Sequence, residues 1–433
     1  MTTPTEVFTQ PPVRKDRGIV VTTPGSNAAR DVRLSGFGDR VPLSTAWAWL
    51  DAWSVPSSPE IVPLAEATGR VLAESITASI DSPNPPRAAD NGYAVRSADC
   101  DGANAYNPLL LSLLEPGTGG LASGFACLIA SGLALPSGAD AVLPFEAAQL
   151  VSPRSLEVLA PVASGTGIDR ASPAGITILE RGQCIGPPDV GCVAAMGIER
   201  VAVLRRPRVA LVVPGAKSGP DALTPMLRAL LTRDGALAEP IAVDGPSEAA
   251  LTTTLTGSPI EACALVLIAG RAGTGPDDLA SLALAAAGGT LTHHGIALHP
   301  GGASGLGILP GSATIPVVLL PGEPLACLVA YDIVASRLVR RLAGVERVSP
   351  YHTAEFELAR KIVSRIGMVE VVPVRLDSGR ALPIGVEGGL AGAIRADGFV
   401  MVPDASEGYR AGGRVRVHLY DSRQTEAAWE VES

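Results

Sequence analysis

The amino-acid sequence predicts a multidomain α/β plus β protein, in which one domain is built on a parallel sheet and the others are smaller. Its 433 residues are enough for about two to four domains at ~150 residues each. Between Arg208 and Gly344, short apolar runs alternate with helical segments, which is typical of a parallel sheet covered by helices on both faces. Between Glu355 and Val417 the hydrophobic pattern has a period of two, which indicates a small antiparallel β domain.

The composition excludes several classes of protein. Hydrophobic residues make up 47% of the chain and charged residues 18%, against a usual ~25% charged, so a mainly disordered chain is excluded. A formal net charge of -9 argues against a general nucleic-acid-binding protein, which would present a basic face. No apolar run is long enough for a membrane-spanning helix, and the six cysteines form no CxxC pair. These observations predict a cytoplasmic protein without nucleic-acid or membrane partners.

The elements expected before the parallel sheet are helices, turns and short strands. One helix is expected from Ser44, whose hydroxyl can cap it, and a second from Pro63 to Ser75. The proline-rich stretch Asp81–Arg87 marks a linker or a domain crossing. Between Ala88 and Ala160, turn residues separate apolar pairs, which predicts a β-rich lobe. A short helix is then expected from Val190 to Met196.

The α/β section is expected to contain four buried strands and the helices between them. The strands are Val209–Val213, Pro240–Asp244, Ala264–Ala269 and Ile315–Leu320, and the helices are Asp221–Thr232, Ser247–Leu255, Asp278–Ala287 and Glu323–Leu342. Ligands of such sheets bind beyond the carboxyl ends of the strands. Those ends carry Gly215, Asp244, Gly270–Gly275 and Pro321-Gly322.

Three glycine-rich loops predict an anion pocket at this edge of the sheet. The loop Ala269–Asp278 follows a strand and enters a helix, so its backbone N–H groups can hold a phosphate. Asp278 is also placed to cap that helix, which is an equally good explanation of its presence. His299–Gly307 reads as a flexible loop, and Leu320–Pro324 as a turn into the last helix. The spacings match neither GxGxxG nor the P-loop, so no dinucleotide or NTP site is predicted.

Several segments taken together resemble the bacterial molybdopterin molybdotransferase family, whose relatives include the gephyrin E domain. The resemblance extends from about Gly36 to Tyr420, with the motifs in the family's order and spacing. They are Pro63–Ala73, Asn91-Gly-Tyr-Ala-Val-Arg96, Ile129–Val142, Arg206-Pro-Arg-Val-Ala210, Leu320-Pro-Gly-Glu-Pro324 and Arg395–Pro403.

The resemblance implies a fold, an assembly and a reaction. The implied parts are a disordered leader (1–35), an elongated linker domain with a small helical part (36–82 and 165–205), a β-rich lobe (83–164), a molybdopterin-binding α/β domain (206–345) and a C-terminal β domain (346–421). The implied assembly is a homodimer, with each cleft between one α/β domain and the partner's β lobe. The implied reaction inserts molybdate into adenylylated molybdopterin with Mg²⁺ and releases AMP.

The sequence departs from the family pattern mainly at acidic and basic positions. The family's Asp before Gly-Tyr-Ala is Asn91, and its acidic Gly-Asp-Glu is Gly215-Ala216-Lys217. Its Ser-Gly-Gly-x-Ser loop is Ala269–Gly273 with Arg271 at the second glycine, and its Pro-Gly-Lys-Pro is Pro300-Gly-Gly-Ala303. Its last turn has Glu323 in place of Asn. Because Mg²⁺ prefers carboxylate ligands, these changes favour binding of an anionic pterin nucleotide over metal-assisted transfer.

The resemblance and the loops together give a set of candidate site residues. Asp244, Asp278 and Asn91 are the catalytic candidates, and Asp244 and Asp278 are also the candidate Mg²⁺ ligands. The candidates for binding adenylylated molybdopterin and molybdate are Ser131, Lys217, Gly270, Arg271, Gly273, Gly275, Gly301 and Gly322. Two hypotheses follow: a divergent molybdotransferase, or a catalytically weakened relative that binds a pterin nucleotide or a partner protein as a carrier or assembly factor.

Overall fold

The multidomain α/β plus β architecture is confirmed by a computed structural model of the chain. The structure describes residues 31–78, 85–115, 119–169, 175–215, 220–347, 349–385 and 389–420. The predicted leader lies almost wholly outside these residues, as does much of the proline-rich stretch Asp81–Arg87. Within the described residues, no helix is long and apolar enough to cross a membrane.

The first described segment, residues 31–42, is called the strap because it runs along the α/β domain. Val41 forms a parallel bridge with Ile296, and the N–H of Leu34 donates to the carbonyl oxygen of Thr274 at 2.8 Å. Helix α1 follows at Leu43–Ala52. The predicted Ser44 cap is wrong: Pro42 precedes the helix, and no side chain caps it.

The helix predicted from Pro63 to Ser75 is wrong. Strand β1 (Pro59–Pro63) leads into a single 3₁₀ turn (Leu64–Glu66), and β2 (Ile76–Thr77) comes after irregular chain. Later N–H groups of this segment donate to distant strands and turns instead of to the preceding helical turn: that of Leu72 to Gln183 O at 2.9 Å and that of Ala73 to Ala202 O at 3.0 Å. Tertiary contacts therefore replace the helix that the local pattern favours.

The predicted β-rich lobe is a six-stranded sheet with the order β6-β3-β5-β4-β8-β7. Its strands are β3 (Gly92–Val95), β4 (Leu109–Leu114), β5 (Phe125–Ile129), β6 (Ala141–Pro144), β7 (Ala148–Ser152) and β8 (Ser155–Val158), with 3₁₀ turns at Ser97–Cys100 and Phe145–Ala147.

The chain then returns to pair with the strands that preceded the lobe. Strand β9 (Thr177–Leu179) is antiparallel to β2, and β10 (Arg200–Leu204) is antiparallel to β1. Helix α2 (Pro187–Ala195) lies between them and begins three residues before the predicted Val190. It begins early because Pro187 suits the first helical position and Asp189 accepts the N–H of Gly186 at 2.7 Å.

The α/β domain is built on a six-stranded sheet with the order β12-β11-β13-β17-β16-β14. Its strands are β11 (Arg208–Val212), β12 (Leu237–Ile241), β13 (Leu265–Ala269), β14 (Thr290–His294), β16 (Gly305–Leu309) and β17 (Ile315–Leu320), and β15 (Leu298–His299) leaves it to join the next domain. Its helices are α3 (Leu223–Arg233), α4 (Glu248–Leu255), α5 (Ser258–Glu261), α6 (Ala280–Ala286), α7 (Pro324–Ala330) and α8 (Ser336–Leu342), with a π-helical turn at Tyr331–Ala335 joining the last two.

The four predicted strands form the parallel part of this sheet, whereas the antiparallel strands β14 and β16 were not predicted. Strand β16 occupies the C-terminal end of the loop His299–Gly307, which was expected to be flexible. Its glycines instead allow close packing of strands: a Cβ atom on Gly307 would lie 2.6 Å from the carbonyl oxygen of Thr290. Glycine at this position therefore marks a crowded strand, not a mobile loop.

After Gly344, five strands close into a small barrel. They are β18 (His352–Leu358), β20 (Val369–Asp377), β21 (Arg380–Pro383), β22 (Gly398–Val402) and β24 (Arg414–Leu419), and the β20–β22 pairing completes the ring. Strands β19 (Ile362–Val363) and β23 (Gly408–Tyr409) pair beside it, and helix α9 spans Gly389–Ala393. Strand β15 adds to the barrel next to β20, so the chain between β15 and β16 lies where the two domains meet.

Candidate functional site

A cavity of about 710 Å³ opens at the carboxyl ends of the parallel strands β11, β13 and β17. The chain leaving each strand supplies part of the wall: Val213–Gly215 after β11, Gly270–Gly273 after β13 and Pro321–Pro324 after β17. Residues 298–303 complete it from the side of the barrel. Parallel strands end at one edge of a sheet, and that edge is where open α/β folds bind ligands.

Five of the eight candidate binding residues line this one cavity, namely Gly270, Arg271, Gly273, Gly301 and Gly322. The structure therefore brings together loops that are separated by up to about fifty residues of chain. Gly275 is not on the wall but lies two residues beyond Gly273 in the same loop. Lys217 lies outside the described residues.

Arg271 takes a backbone conformation that favours glycine, with φ of 54°. Its side chain is held back against the loops: Nε donates to the carbonyl oxygen of Pro214 at 3.1 Å, and Nη1 to that of Asp277 at 3.2 Å. The guanidinium therefore joins the loops after β11 and β13 at the cavity wall.

Asp278 closes its own loop instead of capping the following helix. Its Oδ2 atom accepts the N–H of Gly275 at 2.6 Å, whereas α6 begins at Ala280 with no side-chain cap. The capping alternative for Asp278 is therefore wrong. The loop is also held by His294, whose Nε2 lies 2.9 Å from the carbonyl oxygen of Ala272. Burial lowers the pKa of His294, which favours the neutral ring.

Glu323 fixes the third loop by capping helix α7. Its two carboxylate oxygens accept the N–H groups of Leu325 at 3.0 Å and Ala326 at 2.7 Å. Pro324 occupies the first turn, as predicted. An acidic N-cap is favourable at the positive end of a helix, so Glu323 holds Gly322 in place by a local interaction.

Asn91 and Ser131 lie together in the β-rich lobe and not on the cavity wall. The N–H of Ser131 donates to Asn91 Oδ1 at 2.9 Å, and the Ser131 hydroxyl donates to the carbonyl oxygen of Ala89 at 2.7 Å. Both side chains are exposed, so this turn, called the Asn91–Ser131 turn, is available to a second molecule.

Asp244 is exposed and does not line the cavity. The predicted bounds Pro240–Asp244 are wrong, because β12 spans Leu237–Ile241 and so begins three residues earlier. The N–H of Leu237, its first residue, donates to Pro207 O at 2.9 Å. Strand β12 lies at the edge of the sheet and is less buried than the central strands. Its ends therefore could not be located from a run of apolar residues. Asp244 therefore lies in the turn beyond the strand, not directly at its end.

The carboxylates on the wall do not fit a magnesium site as they stand. Glu323 and Asp278 accept backbone N–H groups as described, and Asp221 Oδ1 accepts those of Leu223 at 2.9 Å and Thr224 at 3.1 Å. Within the described ranges, no three acidic, histidine or cysteine side chains are grouped to hold a metal ion. The paired Asp244–Asp278 site stays a prediction that the position of Asp244 does not support.

The wall also includes residues that were not identified from the sequence, among them Arg40 on the strap, Asp221 before α3 and Met368 in the barrel domain. Asp221 could have been found, because an aspartate before an amphipathic helix is a common N-terminal cap. Arg40 and Met368 carry no local signal, since each reaches the cavity from a different domain or segment.

Three family profiles match almost consecutive parts of the chain. The MoeA N-terminal region, described as domains I and II, matches residues 41–197. The probable molybdopterin binding domain matches residues 194–341, which include most of the cavity wall. The MoeA C-terminal region, described as domain IV, matches residues 355–420.

Individual proteins show the same similarity. The chain is 30% identical over 312 residues to molybdopterin molybdenumtransferase 2 of Mycobacterium tuberculosis, covering 66% of this chain and 76% of that one. It is 27% identical over 381 residues to a putative molybdopterin biosynthesis protein of Methanocaldococcus jannaschii, covering 83% and 91%. Among solved structures, a molybdopterin biosynthesis MoeA protein from Pyrococcus horikoshii superposes with a TM-score of 0.71 at 27% identity, covering 88% of this chain and 100% of that one.

Proposed function

This chain belongs to the MoeA family of molybdopterin molybdenumtransferases, and on that basis we propose that it acts in molybdenum cofactor biosynthesis, inserting molybdate into adenylylated molybdopterin with release of AMP. The observation that carries the proposal is the cavity at the carboxyl ends of β11, β13 and β17, which combines three glycine-bearing loops with two arginines. A pterin nucleotide carries phosphates, and molybdate is an oxyanion, so both substrates need N–H donors and positive charge.

In this proposal the chain's own residues bind and orient the anionic groups. The N–H groups of Gly270 and Gly275 donate to Leu320 O and Asp278 Oδ2, so the loop would bind through the backbone between them, and Arg271 adds charge at its edge. Asp278 and Glu323 act indirectly, because each holds the backbone of one loop in its binding shape. Positioning of the phosphates next to fixed donors stabilises the negative charge that accumulates as AMP leaves.

Mg²⁺ is the cofactor that the family resemblance implies, and we assign it no step. Mg²⁺ is normally held by one or two carboxylates together with substrate phosphates. Here the wall carboxylates are already engaged by backbone N–H groups, and Asn91 and Lys217 stand where the resembled family has acidic residues. We therefore expect AMP release to depend only weakly on Mg²⁺.

We further propose that the working form is a cytoplasmic homodimer. The Asn91–Ser131 turn lies in a separate domain from the cavity and is exposed, so a second copy of the chain could place this turn over the opening. Light scattering at micromolar concentration tests the assembly: a mass near twice 44.1 kDa supports it, and a lone monomer contradicts it.

The transferase assignment is tested by AMP release. Purified protein is incubated with adenylylated molybdopterin and molybdate, with and without Mg²⁺, and AMP is quantified over time. Molybdate-dependent AMP release above a protein-free control supports the assignment. The same assay with Asn91→Asp, Ala216→Asp and Lys217→Glu combined should show stronger Mg²⁺ dependence, because the triple variant restores acidic groups. Robust turnover with Mg²⁺ in the unaltered protein, not improved by the triple variant, would contradict the weak-dependence proposal.

A second candidate function is binding of the pterin nucleotide without efficient transfer, as a carrier or assembly factor. It is favoured by one observation, the engagement of Asp221, Asp278 and Glu323 by backbone N–H groups. Tight binding of adenylylated molybdopterin without AMP release would support this candidate over the transferase.

A further inference from the structure

We propose that Arg40, reaching the cavity from the strap, is an oxyanion-binding residue that supplies positive charge to the tetrahedral anion bound there. Arg40 lies on the wall although it is far from the cavity loops in sequence. The proposal rests on the function proposed above for the same cavity, and it extends that function to a residue outside the α/β domain.

The strap fixes the position of Arg40 through main-chain hydrogen bonds on both sides of the cavity edge. The N–H of Val41 donates to the carbonyl oxygen of Gly295 at 2.9 Å, and the N–H of Ala297 donates to that of Val41 at 2.8 Å. The Arg40 guanidinium lies over the Phe37 ring, 4.7 Å from its centroid, and the Phe37 ring packs edge-on against His294. The side chain is therefore oriented before any ligand arrives.

The guanidinium occupies the space beside Gly302, where the resembled family carries lysine. Nη1 of Arg40 donates to the carbonyl oxygen of Gly302 at 2.7 Å and contacts that of Ile296 at 3.4 Å. A Cβ atom on Gly302 would lie 2.4 Å from this Nη1 and 2.7 Å from the carbonyl oxygen of Leu298. A side chain at position 302 is excluded by these contacts, so Arg40 places a cation beside a loop that has lost one.

Arg40 makes no direct ion pair with a described residue. Neither Arg40 nor Arg271 forms an ion pair within the part of the chain that the structure describes, whereas His299 on the same wall lies 3.4 Å from Glu370. The wall also carries the carboxylates of Asp221, Asp278 and Glu323, which accept backbone N–H groups. An anionic occupant would therefore bind at the side of the cavity formed by the two guanidinium groups.

The remaining donors of Arg40 define the kind of ligand. Nη1 is used by the two carbonyl oxygens, and Nε and Nη2 make no hydrogen bond to other described residues. An arginine edge with two parallel donors matches two oxygens of a phosphate or another tetrahedral oxyanion. The anion has two possible sources: the pterin phosphate and molybdate.

The test is calorimetric titration of inorganic phosphate, molybdate and adenylylated molybdopterin into the full-length protein and three variants. Arg40→Gln removes the charge, and Arg40→Lys keeps it. Arg33→Gln is the matched control, because Arg33 lies on the same strap but pairs with Asp31 at 2.8 Å and is not on the wall. Amide hydrogen exchange at Val41 and Ala297 reports whether the strap stays bound.

We expect Arg40→Gln to weaken phosphate and molybdate binding by about tenfold to a hundredfold, the usual effect of losing a charged hydrogen bond. Arg33→Gln should bind as the unaltered protein does, and Arg40→Lys should recover part of the loss. The proposal would be overturned if the unaltered protein bound neither phosphate nor molybdate. It would also be overturned if Arg40→Gln bound these oxyanions as tightly as Arg33→Gln does. Arg40→Lys binding no better than Arg40→Gln would also overturn it, because the arginine would then act only by holding the strap.

The source of the anion follows from the third ligand. If Arg40→Gln weakens binding of adenylylated molybdopterin in the absence of molybdate, Arg40 is assigned to the pterin phosphate. Unchanged binding of adenylylated molybdopterin in Arg40→Gln, together with weaker binding of molybdate, assigns Arg40 to molybdate. Absence of AMP release from protein that binds both oxyanions counts against the proposed transferase activity and leaves the role of Arg40 standing.

Discussion

Substitution of Asp234 by alanine is predicted to destabilise the α/β domain more than most single changes. Asp234 follows helix α3 and is 1% exposed. Its carboxylate accepts hydrogen bonds from Arg233 Nη2 at 2.8 Å, from Arg340 Nη1 at 2.9 Å and from the Tyr331 hydroxyl at 3.1 Å. Burial raises the pKa of Tyr331 well above its usual value, so this hydroxyl keeps its proton and acts as the donor.

The magnitude follows from what Asp234→Ala leaves behind. The Arg340 side chain is 9% exposed, and after the change its remaining partner would be the carbonyl oxygen of Arg347, which it contacts through Nε at 2.7 Å. Removing one partner of a buried ion pair costs about 3–5 kcal/mol, because the other charge stays buried without compensation. That is a large share of the roughly 5–15 kcal/mol by which a domain is stable.

The measurement is urea-induced unfolding followed by tryptophan fluorescence. Trp47 is a suitable probe, because its Nε1 donates to the carbonyl oxygen of Ile333 at 2.8 Å, in the π-helical turn that also contains Tyr331. Asp234→Ala combined with Arg340→Met removes both charges and should be less destabilised than Asp234→Ala alone. The reasoning would be refuted if Asp234→Ala lowered the free energy of unfolding by less than about 1 kcal/mol. It would also be refuted if the double variant were at least as unstable as Asp234→Ala alone.

Three further outcomes are expected. The Asp51 carboxylate accepts two bonds of 2.7 Å from Arg337, and this hydrogen bonding is the main reason that the pKa of Asp51 is lowered. Asp51→Asn should therefore lower the unfolding free energy by about 1 kcal/mol at pH 7, and the difference should shrink as pH falls below about 3.8; a difference that grows in acid contradicts this. Arg271→Gly relieves a positive φ but removes two hydrogen bonds, so the free energy of unfolding measured by thermal melting should change by less than about 1 kcal/mol. Binding of adenylylated molybdopterin should weaken, and unchanged binding would contradict this expectation. Glu323→Ala removes the cap of α7, so chemical denaturation should show a loss of about 1–2 kcal/mol, with Glu323→Asp closer to the unaltered protein.

Elements whose stability depends on local pattern were predictable from the sequence. The strand Ile315–Leu320 was predicted with its observed bounds, because it is buried on both faces and reads as a continuous apolar run. The helical run from Pro324 to Leu342 was also predicted, although only the structure revealed the π-helical turn within it. The meeting of the glycine-rich loops at one cavity was predictable because the carboxyl ends of parallel strands lie at one edge of a sheet.

Features that depend on partners distant in sequence were decided by the tertiary structure. The segment Pro63–Ser75 has a helical pattern, but the N–H groups of Leu64, Leu72 and Ala73 donate to residues more than one hundred positions later. Asn91 and Ser131 were expected in the β-rich lobe, but only the structure shows that the N–H of Ser131 donates to Asn91 Oδ1 across forty residues of chain. Arg40 has no motif at all: it lies on the wall only because the strap hydrogen-bonds to residues 295–297. Local pattern determines which elements form, whereas the assembly of the site depends on long-range hydrogen bonds and packing that exist only once the chain is folded.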